Sequence, residues 1–156
     1  MSLLYSIRQN QLSNEYTFVT KNGTTYEVYF LDSSGYFPVD NPITQHTFVF
    51  GFNTENHVPS FDIKVVNSIA QIVLDFFDQN PNSVLVYVYD QKDGKQNSRK
   101  RLFNKWFNYY SDNTFIKRDI SLDASVHLAA IFKSENSERG NISAMLDEFK
   151  EAVDNK

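Results

Sequence analysis

The apolar residues change period near residue 60, and that change limits the chain to folds in which strands come first and helices are interposed later. Between Tyr16 and Phe52 the spacing is two. Tyr16 and Phe18 alternate with Thr17 and Val19; Tyr26, Val28 and Phe30 alternate with Thr25, Glu27 and Tyr29; His46, Phe48, Phe50 and Phe52 repeat the pattern. Alternation of this kind gives a pleated strand one apolar and one polar face. Asn22-Gly23, between the first two runs, predicts a two-residue hairpin turn, because both residue types tolerate the positive φ that such turns require. Ser33, Ser34, Gly35, Pro38 and Pro42 mark a looser connection before the third run. Three antiparallel strands are therefore expected to open the fold.

From Ser60 the period becomes helical. Val65, Val66, Ile69, Ile72, Val73, Phe76 and Phe77 recur at spacings of three and four, with Asp62 in the first turn and Asn80-Pro81 at the end. Val84 to Tyr89 follows without a polar residue and is too short for a helix, so it reads as a strand buried on both faces. A second helix, from about Ser98 to Tyr110, carries Leu102, Phe103, Trp106, Phe107 and Tyr110 along one stripe. Phe115 to Ile120 and Val126 to Phe132, separated by the turn-like Ser121 to Ser125, read as a second hairpin. Ile142, Met145, Leu146, Phe149 and Val153 mark a last amphipathic helix after the polar stretch Ser134 to Asn141. The order β-β-β-α-β-α-β-β-α predicts a single α+β domain over residues 1–156, in which helices pack on one face of a mainly antiparallel sheet. Fourteen Phe and nine Tyr in 156 residues suit a sheet-rich core.

Several classes of function are set aside by composition. The chain has no cysteine, which removes disulfides, thiolate catalysis and Cys-ligated zinc. The N-terminus lacks the cationic start and apolar stretch of a secretory signal, and no window approaches the roughly 18 to 20 apolar residues of a membrane span, so a cytoplasmic protein is expected. A formal charge of −4 argues against indiscriminate binding to nucleic acid or to an anionic membrane. No Walker loop, dinucleotide fingerprint or nucleophile elbow is present, and no cofactor is implied.

The charge is nevertheless uneven. Lys92, Lys95, Arg99, Lys100, Arg101 and Lys105 fall within fourteen consecutive positions; against Asp90 and Asp93 they leave residues 90–105 at +4 and the remainder at −8. Arg99, Lys100 and Arg101 crowd the first turn of the expected second helix, where unpaired N–H groups already make a partial positive charge and cations are disfavoured. No Glu or Gln completes a capping box there. A compensating anion is required: Asp90 or Asp93, a carboxylate from elsewhere, or an external anion such as phosphate held by N–H groups and guanidiniums. Arg99 lies near the buried stripe and is the better partner for a structural ion pair with Asp90 or Asp93, whereas Arg101 and Lys105 share another side. Lys95, Arg99, Lys100, Arg101 and Lys105 are therefore candidates for an anionic ligand or an acidic protein partner. The plainer alternative pairs Arg99 internally and leaves the other cations solvated.

Weaker features compete with this one. His46, His57 and His127 stand alone, and a site built from them needs tertiary convergence. Asp90 and Asp93, with Asp75, Asp78 and Asp119, could hold Mg²⁺ for phosphodiester chemistry, although a turn rich in Asp, Lys and Gly is more commonly only a turn. The aromatic alternations could stack bases, but an aromatic core is the commoner use of such residues.

The stretch YVYDQKDGKQNSRKRLFNKWF resembles a family of short, uncharacterised bacterial proteins whose pattern is Asp90, Asp93, then Arg99, Arg101, Leu102, Phe103, Trp106 and Phe107. Tyr16 to Phe30 and Asp62 to Phe77 are similar to that family's opening hairpin and first helix. The resemblance implies kinship and no activity. The residues themselves read as a binding or interaction module rather than an enzyme. The rivals are a metal-assisted enzyme on a phosphate-containing substrate and a self-associating protein that buries its aromatic sheet face in an oligomer.

Overall fold

The computed structural model describes residues 3–13, 15–37, 40–54, 63–90, 113–121 and 126–154, the side chains of Ser34, Tyr89, Asp90 and Val126 excepted. Seven strands form one sheet among these residues: β1 (Arg8–Asn10), β2 (Glu15–Val19), β3 (Thr25–Asp32), β4 (Thr47–Thr54), β5 (Val84–Asp90), β6 (Phe115–Ser121) and β7 (Val126–Lys133). They lie side by side in the order β1-β2-β3-β4-β5-β7-β6. Every neighbouring pair is antiparallel except β4 and β5, which run parallel. Two α-helices, α1 (Ile63–Gln79) and α2 (Arg139–Asp154), and two 3-10 turns, Ser34–Tyr36 and Thr44–His46, complete the described elements. The α+β class and the mainly antiparallel sheet are as the periodicity predicts.

The opening hairpin forms with the expected faces: Tyr16, Phe18, Tyr26, Val28 and Phe30 are buried, while Glu15, Val19, Glu27 and Leu31 are exposed. Its turn is longer than the two residues expected. Gly23 N–H donates to the Thr20 carbonyl at 2.9 Å, Thr20 N–H donates to Thr24 at 2.9 Å, and Gly23 alone supplies positive φ, at 81°. A turn over Lys21 and Asn22 followed by a left-handed glycine matches the right-handed twist of the strands without a positive φ at Asn22. The third expected strand begins at Thr47, because His46 closes a 3-10 turn at Thr44–His46. The short β1 adds a strand that no periodicity announces, since Arg8, Gln9 and Asn10 are all exposed.

One correction concerns the layers. The helices do not share a face. Val65, Val66, Ile69, Ile72, Val73, Phe76 and Phe77 of α1 pack with Tyr16, Phe18, Tyr26, Phe30, Phe50 and Phe52, and with Leu85, Tyr87, Ala129 and Ile131. Ile142, Met145 and Leu146 of α2 pack instead with Val84, Val86, Leu128, Ala130 and Phe132 on the other side, joined by Phe37 and Ile43 from the 33–46 connection. The cause lies in β5. Its consecutive apolar residues project to opposite sides, so each side needs its own cover to remove it from water.

The α1 core is built largely of rings. Phe76 stacks on Phe30 at 4.5 Å between centroids, and Tyr5, Phe18 and Tyr26 form a parallel stack with separations of 5.7 and 5.0 Å. Tyr5 is fixed there by its N–H donating to the Ser68 hydroxyl at 2.9 Å, which ties residues 3–7 along α1. The aromatic face proposed for an oligomer or for bases is therefore covered by the chain's own helix. At the end of α1, Asn80 donates from both its backbone N–H and its side-chain amide to the Phe76 carbonyl, at 2.8 and 3.0 Å, satisfying an acceptor that a helix end leaves open.

Candidate functional site

The strand directions bring several connections to one end of the sheet. β4 and β5 are parallel, and β6 runs with them because β5 and β6 are both antiparallel to β7. Their carboxyl ends, Thr54, Asp90 and Ser121, therefore lead into residues 55–62, 91–112 and 122–125 at the same end. The β2–β3 turn also lies there, since Tyr26 is opposite Thr54. In open α/β sheets of parallel strands, ligands bind outside the carboxyl ends of the strands; here β4 and β5 are the one parallel neighbouring pair among the described strands.

The register of β5, β7 and β6 sets residues of the three strands opposite one another in rows toward that end. Tyr87, Ala129 and Asp119 make one row, and Tyr89, His127 and Ser121 the next. Ser121 Oγ lies 3.1 Å from His127 Nδ1. Either the hydroxyl or the ring N–H donates in this contact. One row inward from Asp119, Lys117 reaches its carboxylate at 3.4 Å; Lys117 is 12% exposed and Asp119 54%. Tyr87 is buried among α1's neighbours. A hydroxyl beside an imidazole has the composition of a nucleophile–base dyad, and across two paired strands it is equally an ordinary cross-strand hydrogen bond. The grouping combines one carboxylate, one ammonium, a hydroxyl and an imidazole on two paired strands.

The residues singled out by sequence divide as follows. Asp93, Lys95, Arg99, Lys100, Arg101 and Lys105, with the expected second helix, lie outside the described residues, as does His57. Asp90 ends β5, its backbone opposite Val126 and one row beyond the row of His127 and Ser121. His46 is exposed at the opposite end, where β4 begins. Asp75 and Asp78 sit on the last turns of α1, near the start of β5, with Asp75 accepting from the Gln71 amide at 2.8 Å. They do not share an end with Asp119. Among the described residues no group of three His, Asp or Glu side chains could hold a metal ion. None of the described helices is long and apolar enough to cross a membrane.

The pairing of Ser121 with His127 escaped sequence reasoning, which treated each histidine alone. The signal was present: two alternating segments joined by a short turn form a hairpin, and a hairpin register sets residues before the turn opposite residues after it.

An α+β protein with a seven-stranded mixed sheet and a helix on each face is what these elements define. Residues 61–151 match a family described as "Family of unknown function (DUF6169)", and the chain belongs to that family. The match spans α1, β5, β6, β7 and most of α2, and it takes in the basic run. Nothing among curated proteins matches the chain.

Proposed function

We propose that the protein is a binding module that receives an anionic ligand or an acidic partner at the end of the sheet where β4, β5 and β6 finish. Lys95, Arg99, Lys100, Arg101 and Lys105 are the contact residues. What supports this reading is the place of the basic run in the chain: it follows in sequence after Asp90, whose backbone ends β5 one row beyond the His127–Ser121 pair. Cations gathered at +4 in a chain of −4 attract an anion locally while the rest of the surface repels polyanions, which favours a small or protein-borne anion over nucleic acid. Phosphate-type oxygens are the chemistry that guanidiniums recognise best, through paired charge-assisted hydrogen bonds.

The test uses the whole chain, pyrophosphate and a short glutamate-rich peptide as probes, and the double variant Arg101→Glu, Lys105→Glu. Binding of at least one probe, measured by heteronuclear NMR shifts at residues 95–105, should weaken with salt and vanish in the double variant. Absence of shifts with both probes, or shifts unchanged by the double reversal, refutes the assignment.

A further inference from the structure

The hairpin tip between β2 and β3 holds the one Asn-Gly pair in the sequence, Asn22-Gly23. A glycine after asparagine has no Cβ to shield its backbone nitrogen, so that nitrogen is able to attack the amide carbon of the asparagine side chain. Lys21, Asn22 and Gly23 are all exposed. Apart from its two chain neighbours, no heavy atom lies within 4 Å of where a Cβ on Gly23 would stand, so nothing packs over the pair.

The folded turn opposes that attack. Gly23 N–H donates to the Thr20 carbonyl at 2.9 Å, which engages the nitrogen away from the Asn22 side chain. Thr20 holds the turn by two further bonds: its N–H donates to the Thr24 carbonyl at 2.9 Å, and its Oγ1 accepts from Thr24 N–H at 3.2 Å. Closing a ring between the Gly23 nitrogen and Asn22 Cγ requires rotation about the Asn22 Cα–C bond and loss of the bond to Thr20. Local opening of an exposed hairpin tip costs less than unfolding the sheet, so the turn, not the whole fold, controls access to the reactive geometry.

We propose that Asn22 is a deamidation site whose rate is set by opening of this turn. In the open turn the Gly23 nitrogen, its proton given up to solvent base, forms a bond to Asn22 Cγ. The Cγ–Nδ2 bond breaks and the nitrogen leaves as ammonia, protonated by solvent, with a five-membered succinimide left in the chain. Water opens the succinimide at one of its two carbonyls and yields aspartate or isoaspartate. One water enters and one ammonia leaves; nothing is oxidised or reduced. Either product adds one negative charge to a chain of −4, at the end of the sheet where β4, β5 and β6 finish. Isoaspartate also routes the backbone through the side-chain carbon, which lengthens the turn and works against the register that sets Val19 opposite Thr25. The site involves neither the basic run nor the Ser121–His127 pair, and it stands apart from the ligand reading above.

Peptide mapping by mass spectrometry tests the proposal on the full chain, incubated at mildly alkaline pH in buffer and in guanidinium chloride. The covalent sequence is the same in both, so the ratio of the two rates of conversion at residue 22 reports the turn. Conversion should be at least about fivefold slower in the folded protein. Thr20→Val keeps the side-chain shape and removes the acceptor for Thr24 N–H; it should speed conversion of the folded protein about twofold or more and leave the rate in denaturant unchanged. A circular dichroism melt confirms that the variant folds, and the wild-type ratio stands as a test without it. Absence of conversion at residue 22 in denaturant, equal rates in the folded and unfolded chain, or a folded-state rate indifferent to Thr20→Val each overturns the proposal.

Discussion

Replacing Phe76 by Leu removes a ring that contacts three other rings among the described residues, without emptying its place. Phe76 is 2% exposed and stacks on Phe30 at 4.5 Å and 11°, with edge-on contacts to Phe48 and Phe77, both at 5.5 Å. Each aromatic pair contributes about 0.5–1.5 kcal/mol beyond its buried area, and the three pairs share one ring, so they do not add in full. Leucine keeps most of the apolar volume but not the shape, a change that costs about 1 kcal/mol in a well-packed core. The expected loss is about 2–3 kcal/mol. In urea that moves the midpoint down by roughly 0.7–3 M at an m-value of about 1–3 kcal/mol/M. Unfolding followed in parallel by far-UV circular dichroism and by aromatic fluorescence supplies the measurement. Ile63→Ala, at a 61% exposed position on the same helix, serves as the control and should change stability by less than about 0.5 kcal/mol. A Phe76→Leu midpoint that shifts no more than the control's refutes the view that α1 is held chiefly by stacked rings.

Three other outcomes follow from the same coordinates. We infer that residues 1–156 form one folding unit, so the family-matched fragment 61–151 should be unstructured by NMR, because α1 then loses Tyr16, Phe18, Tyr26, Phe30, Phe50 and Phe52 as its partners; a dispersed spectrum refutes this. Gly51→Ala drives a methyl into the Tyr29 ring that lies across it from β3, and should cost about 1–2 kcal/mol, most of it regained when Tyr29→Ala is combined with it; equal losses in the single and double variants are the adverse result. Burial, aided by the Asp75 carboxylate, raises the pKa of Tyr16 above the usual phenol value. The unfolded chain then loses that proton first, so stability falls as pH rises from about 10 to the folded pKa and levels off beyond it; Tyr16→Phe should flatten this slope in alkaline melts, and an unchanged slope sinks the assignment.

The legible parts of the sequence are those set by local periodicity. Alternation at 16–30 and 46–52 indicated which face of each strand is buried, although His46 itself precedes β4, and the three–four spacing at 65–77 indicated the buried side of α1. Asn80 marked that helix's end because a side-chain amide can cap the last carbonyls. β1 was illegible since Arg8–Asn10 is held by backbone pairing with β2 alone, which leaves no side-chain signal. The hairpin turn was misjudged by its length because Asn-Gly suits more than one turn. Of the candidate site, the charge run is visible in the sequence by counting. The row joining Tyr89, His127 and Ser121 is not, since it depends on the register of three strands of which β5 is remote in the chain.

The amino-acid pattern alone determined the type of each main element, the apolar side each one turns inward, and the unequal distribution of charge. Only the tertiary structure decided that α1 and α2 cover opposite faces, that β4 and β5 run parallel, and that the ends of β4, β5 and β6 meet at one end of the sheet. The reason is physical: propensity and periodicity act over a few neighbouring residues, whereas the choice of face and strand neighbour is a competition among long-range ways of burying the same surfaces, and β5, apolar on both sides, admits cover from either.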